Sequence, residues 1–326
     1  MTVAIVFNEH SHLEKRQLHA LGSLVMRFFL GATFVVCQGY GHQYIDGATV
    51  LTVEGDQNYK VRLATMVRTL LSHQPDYLVS VGGDGLASYI ASTVVAMGSK
   101  VTLLGIAAGT ANVGPIVSFP FEQISRLQLS DLEAVPIDGI SVSDESGYLG
   151  IGFNDVILGN SFLGTESGVC CNLSVEELLV HQKRVPIEVG RRIVTEEFSV
   201  ALDGQGQTFF TAVPIEQIVI SPLQFDRLYG RAVLGGLCLG RDAQHLAAIG
   251  IASRNVVDAN PMAWGFSGFT AIQHLVFSKD REVVLSSLGP DAHIIIDGNP
   301  FLRKGAVRVA LVPGAIKAMK LKGVLI

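Results

Sequence analysis

The first hundred residues carry a rhythm that few folds satisfy. Short apolar runs at 3–7 (VAIVF), 33–37 (TFVVC), 49–53 (TVLTV), 77–81 (YLVSV) and 101–106 (VTLLGI) alternate with helix-period segments at 13–29, 59–73 and 86–97. In 59–73, Val61, Ala64, Val67, Leu70 and Leu71 fall near one helical face. Runs as apolar as YLVSV suit strands covered on both sides. Strands that alternate with helices join into a parallel sheet through right-handed crossovers. The spacing predicts an α/β N-terminal domain with an open parallel sheet over residues 1–130.

Beyond that point the texture changes. Short β-like runs dominate, at 134–144, 148–158, 192–202, 209–221 and 282–288, with Gly and polar turns between them. One helix is predicted over 174–182, where Ser174 and Glu177 have the spacing of a capping box. The expectation is a β-rich, mostly antiparallel C-terminal domain over 131–300. A last apolar segment, 301–326, is free to return to the first domain.

Composition excludes several classes of function. Hydrophobic residues make up 48% of the 326, and the mean hydropathy is +0.40. The most apolar early stretch, 23–37, is interrupted by Arg27 and Gly31. No run approaches the roughly 20 residues that a membrane-spanning helix needs. The N-terminus, MTVAIVFNEH, has no basic leader before an apolar core, so a cytoplasmic protein is expected. The excess apolar surface is expected to serve a buried sheet and the interface of a homo-oligomer. A net charge of −5 disfavours nucleic acid as a partner. The four cysteines form no CxxC pair, so a zinc knuckle is not expected and no metal-ligating residues are assigned from them. Adjacent Cys170 and Cys171 read as small packing residues rather than a vicinal disulfide.

The chemistry concentrates after the fourth apolar run, in VGGDG at 81–85. Glycines at the carboxyl edge of a parallel strand let backbone approach a ligand, and that edge is where such sheets bind ligands. Backbone N–H groups at the start of the following helix suit phosphate oxygens. Asp84, set among Gly82, Gly83 and Gly85, would repel phosphate unless it holds magnesium or takes a proton from an attacking hydroxyl. The alternative is a helix N-cap, for which Asp is well suited. A second small-residue loop, GIAAGTANVGP at 105–115, follows the next apolar run; its Gly109, Thr110 and Asn112 suit phosphate or ribose. Neither loop has the GK[ST] of a Walker A sequence, and GxGxxG does not follow the first strand.

The pairing of VGGDG with GIAAGTAN one strand later resembles the superfamily of NAD kinases and diacylglycerol-type lipid kinases. GFNDVILG (152–159) is similar to the segment in which NAD kinases carry an Asn-Glu pair, and IIIDGNP (294–300) resembles their late DGQ or DGE. These likenesses occur in the family's order. LYGRAVLGGLCLGR (228–241) resembles a segment of ATP-NAD-kinase-like proteins related to the acetoin catabolism protein X group. The resemblance implies ATP and Mg2+ as cofactors, NAD as a candidate substrate, and a nucleotide or dinucleotide as the small-molecule partner. It gives Asp84 the catalytic role. Gly82, Gly83, Gly85, Gly109, Thr110 and Asn112 go to phosphate or ribose, Asn154 and Asp155 to the acceptor, and Asp297 to the same region. Asp297 before Gly298 also reads as a β-turn residue. Leu86 stands where the family has Thr, and Asp155 where it has Glu. The TPTGSTAY-like dinucleotide segment and the lipid kinases' N-terminal phosphate loop have no counterpart. Nucleotide binding therefore transfers more directly than the second substrate. A catalytically silent nucleotide-binding regulator and a lipid kinase stand as alternatives.

Overall fold

A computed structural model describes residues 1–8, 13–53, 59–109, 112, 114–166, 169–209, 213–224, 245–259 and 270–323. The chain forms two compact units, Met1–Ile137 with Gly314–Ile326, and Asp138–Pro313.

The first unit contains β1 (Thr2–Phe7), α1 (Lys15–Phe28), β2 (Thr33–Cys37), β3 (Thr49–Leu51), α2 (Tyr59–Leu71), β4 (Tyr77–Gly82), α3 (Asp84–Ala96), β5 (Thr102–Ala107), β6 (Val117–Pro120) and a short α4 (Phe121–Ile124). It also takes the start of β7 (Leu132–Asp144). Its strands lie in the order β3-β2-β1-β4-β5, all parallel. The chain runs outward from β1 to β3, then returns to the other side of β1 for β4 and β5. That reversal is a topological switch point, and the crevice beyond the carboxyl ends of β1 and β4 is the natural ligand position. Both strands are covered on each face: Val3 to Val6 and Leu78, Val79 and Val81 are fully buried. Helix α1 sets Leu18, Leu21, Leu24 and Val25 against Val3, Ile5 and Val79. Helix α2 buries Leu63, Met66, Val67, Leu70 and Leu71, while Val61 is exposed. The inward face is thus turned from the one predicted. The i, i+3, i+4, i+7, i+8 set starting at Leu63 carries the larger side chains and wins the core.

The second unit continues with β8 (Gly147–Gly152), β9 (Val156–Gly159), β10 (Ser161–Glu166), β11 (Val169–Ser174), α5 (Val175–His181), β12 (Val194–Leu202), β13 (Gln205–Gln207), β14 (Gln217–Pro222), β15 (Leu246–Ala252), β16 (Ile272–Ser278), β17 (Glu282–Leu288), β18 (His293–Ile296), β19 (Asn299–Phe301) and β20 (Val307–Leu321). One antiparallel sheet has the order β16-β15-β14-β9-β18-β19. Strands β13, β12, β17 and the first half of β20 pair antiparallel, and β7 forms a hairpin with β8. Both groups feed one core, with Val156, Leu158, Ile218 and Ile249 from the first and Ile140, Val200, Leu285 and Val309 from the second. The fold class expected from the sequence, parallel α/β followed by antiparallel β, is the one observed.

Three local expectations change. The run 148–158 breaks into β8 and β9 at Phe153–Asp155. In 209–221 the strand starts only at Gln217; Pro214, which has no N–H to offer a ladder, precedes it, and 210–212 lie outside the described residues. Cys170 and Cys171 are free thiols, and Cys170 is exposed on the two-stranded β10–β11 sheet, so it is not a packing residue. Ser174 caps α5 as expected, accepting from the Glu177 N–H at 3.2 Å. The second half of β20 runs parallel to β5, with Lys317 opposite Thr102 and Ala318 opposite Leu103. Among the described residues no helix is long and apolar enough to cross a membrane.

Candidate functional site

Strand β4 ends at Gly82, and the N-cap of α3 is Gly83, in extended backbone with φ −101° and ψ −177°. Asp84 is therefore the first helical residue rather than the cap. The cap makes no side-chain bond, and the Asp84 carboxylate turns to the second loop instead, where Oδ2 accepts the Gly114 N–H at 2.9 Å. The first helical hydrogen bond runs from the Ala87 N–H to the Gly83 carbonyl, so the N–H groups of the first turn have no acceptor within the helix. They sit at the positive end of a 13-residue helix, beyond the carboxyl edge of the sheet.

The glycines have a packing reason that can be stated atom by atom. A Cβ on Gly109 would lie 2.5 Å from Gly83 Cα and 2.6 Å from its nitrogen. One on Gly82 would lie 2.9 Å from Leu86 Cδ2, and one on Gly114 would lie 2.9 Å from Asp84 Oδ1. The two loops touch backbone to backbone, joined also by the Ala108 N–H to Gly82 carbonyl bond of 3.0 Å. Leu86, 6% exposed, packs beneath Gly82. Gly85 follows Asp84 in the first turn and is partly exposed. Asn112 donates through Nδ2 to the Gly109 carbonyl at 2.8 Å and so closes its own loop. Thr110 lies outside the described residues, as does 228–241.

Sequence reasoning missed Lys320. It sits on β20, and its Nζ donates to the Pro115 carbonyl and to Ser118 Oγ, the latter at 2.7 Å. Burial pushes its pKa down to about 8, and the Asp84 carboxylate pulls it back up. The available signal was strand alternation. Lys317 points outward, and Lys320 falls three residues later, on the other face.

In the second unit Asn154, Asp155 and Asp297 come together. The Asp297 carboxylate accepts three backbone N–H groups, from Phe153 at 2.8 Å, Asn154 at 2.8 Å and Asp155 at 2.9 Å. Its own N–H donates to the Asp155 carbonyl at 3.0 Å. Asp297 at φ +46° and Gly298 at φ +78° form the tight turn between β18 and β19. This grasp of the 153–155 backbone is what separates β8 from β9. Asn154, 7% exposed, donates from Nδ2 to Asp155 Oδ2 at 2.9 Å, and its Oδ1 is buried with no hydrogen-bond partner. Its main-chain carbonyl accepts from Ser221 Oγ at 2.6 Å.

Among the described residues no group of three His, Cys, Asp or Glu side chains is placed to hold a metal ion. Two features fit a nucleotide phosphate, the first-turn N–H groups of α3 and the Gly82–Gly83 turn before it, which carries no side chain. The buried Asn154 Oδ1 fits a hydroxyl donor.

No protein-family model and no curated protein matches the sequence. Solved structures do. A putative diacylglycerol kinase from Bacillus anthracis str. Sterne matches with a TM-score of 0.59 at 12% identity, over 97% of this chain and 96% of that one. A second structure described in the same words matches at 0.57 and 10%, over 100% and 98%. Yeast NADH kinase complexed with NADH matches at 0.54 and 10%, over 100% of this chain and 84% of that one. The chain has the fold these kinases share.

Proposed function

We propose that this chain, built on the fold of NADH kinase and diacylglycerol kinase-like proteins, transfers the γ-phosphoryl group of ATP to a hydroxyl of a nucleotide-like acceptor. The observation that carries the reading is the Asp84 carboxylate at the switch-point edge of the parallel sheet, oriented by the Gly114 N–H and adjoining the first turn of α3. In this reading Asp84 takes the hydroxyl proton as the oxygen attacks phosphorus and ADP leaves. Gly82, Gly83, Gly85 and Gly109 keep the floor free of side chains, so that backbone N–H groups meet phosphate oxygens. Mg2+ enters with ATP and offsets phosphate charge.

The first unit serves as the ATP-binding domain in this account and the second as the acceptor domain. Asn154 and Asp155 offer a ribose-like hydroxyl one acceptor and one carboxylate, while Asp297 holds their backbone in place. Homo-oligomerisation and a place among the acetoin-related kinase-like proteins belong to the same proposal.

The test is a magnesium-dependent assay with ATP and NAD, NADH or diacylglycerol, following ADP and phosphorylated product. Product from NAD or NADH supports the reading, and product from diacylglycerol replaces the acceptor with a lipid. ATP or NAD binding measured by calorimetry without product from any acceptor would instead support a nucleotide-binding regulator.

A further inference from the structure

The second glycine loop has to hold its exit still for Gly114 to orient Asp84, and one cation on the last strand is attached there. Lys320 reaches from β20 to both ends of the segment that follows the loop, the Pro115 carbonyl and Ser118 Oγ. Pro115 is covalently joined to Gly114, the residue whose N–H holds the Asp84 carboxylate. Ser118 in turn donates to the Ile116 carbonyl at 3.1 Å, so the ammonium, the hydroxyl and the 115–118 backbone form one closed network. A buried ammonium is costly to place unless its hydrogen bonds are supplied, so the chain gives it a carbonyl and a hydroxyl and sets a carboxylate nearby. A Met at this place would fill the space without that cost.

We propose that Lys320 is a positioning residue of the Asp84 site. Its ammonium fixes the exit of the second glycine loop at Pro115 and Ser118, and thereby sets where the Gly114 N–H holds the Asp84 carboxylate. The inference rests on Asp84 being the carboxylate that reacts. Lys320 bonds to Pro115 and Ser118 and acts on the Asp84 carboxylate through Gly114, with its charge near that carboxylate adding to the hold.

The test uses the full chain labelled with 15N-glycine, in wild type, Lys320→Met and Ser118→Ala. It reads the Gly114 amide resonance and turnover per folded molecule. Lys320→Met should move the Gly114 resonance and lower turnover about tenfold, the scale of one charged hydrogen bond. Ser118→Ala removes a single acceptor and folds more readily; it should move the same resonance in the same direction, with a two- to fivefold loss by the same scale. An unmoved Gly114 resonance in a folded variant overturns the inference, whatever happens to thermal stability. A wild type that transfers no phosphate to any acceptor would fail the functional reading instead, and the Gly114 measurement would still decide the positioning role.

Discussion

Asp84 and Asp297 are both carboxylates held by backbone amides, and they are built for opposite ends. Asp297 is 6% exposed and gathers three N–H groups of one short segment, bonds that tie β9 to the β18–β19 turn. Asp84 is partly exposed, takes its Gly114 bond from a glycine loop 30 residues away, and lies near a half-buried lysine. A carboxylate filled by the turn it stabilises is a brace. A carboxylate at the carboxyl edge of a parallel sheet, oriented from a neighbouring loop, stands where such sheets bind ligands. Both motifs have a fold role, the late DGN in the three amides that Asp297 holds and the early GGDG in the close packing of its glycines, but the Asp84 carboxylate reaches a separate loop rather than its own turn.

Substitutions separate the two. The largest effect is expected from Asp84→Asn on phosphoryl transfer, a loss of about 10²- to 10⁴-fold, the range for removing a general base. Its melting temperature should stay close to wild type, because the Asn carbonyl still accepts from Gly114. Asp297→Ala should do the reverse. Leaving three buried amides without an acceptor is expected to cost about 4 kcal/mol in urea denaturation. A small cost there would reduce the brace to an ordinary turn.

Gly109→Ala tests the contact between the loops. Its Cβ would need the space of the Gly83 backbone, so about 2 kcal/mol of stability should be lost, along with magnesium–ATP affinity by calorimetry. The smallest expected effect is a pH slope. Burial holds Lys320 at about 8, and Lys60 likewise, against an ordinary value of 10.5. Between those limits the unfolded chain binds more protons, so each lysine makes stability rise with pH, by at most about 1.4 kcal/mol per unit, and adds no slope below the folded value. Comparison of wild type and Lys320→Met by denaturation at pH 7.5 and 9.5 should show wild type gaining on the variant. A flat difference would contradict the burial of the amine.

The parallel sheet was legible because its information is local. The run YLVSV, ended by glycines and followed by a helical segment, appears as β4 and α3 within a few residues of the expected bounds. What the sequence hid depends on partners far along the chain. YLGIGFNDVIL reads as one strand, and it breaks because a carboxylate 142 residues from Asp155 takes the Phe153–Asp155 amides. Lys320 reads as a surface lysine in an alternating strand, since the carbonyl it meets is 205 residues earlier. The cap of α3 is Gly83 rather than Asp84, whose carboxylate is bonded by the Gly114 N–H 30 residues later, a partner no local pattern shows.

The most direct test is a side-by-side measurement of magnesium-dependent ADP release and thermal melting for wild type and Asp84→Asn, with NAD, NADH and diacylglycerol as acceptors. The account predicts turnover in wild type and its near loss in Asp84→Asn at an unchanged melting temperature. Turnover that survives the substitution would contradict it and return Asp84 to the role of a loop tether.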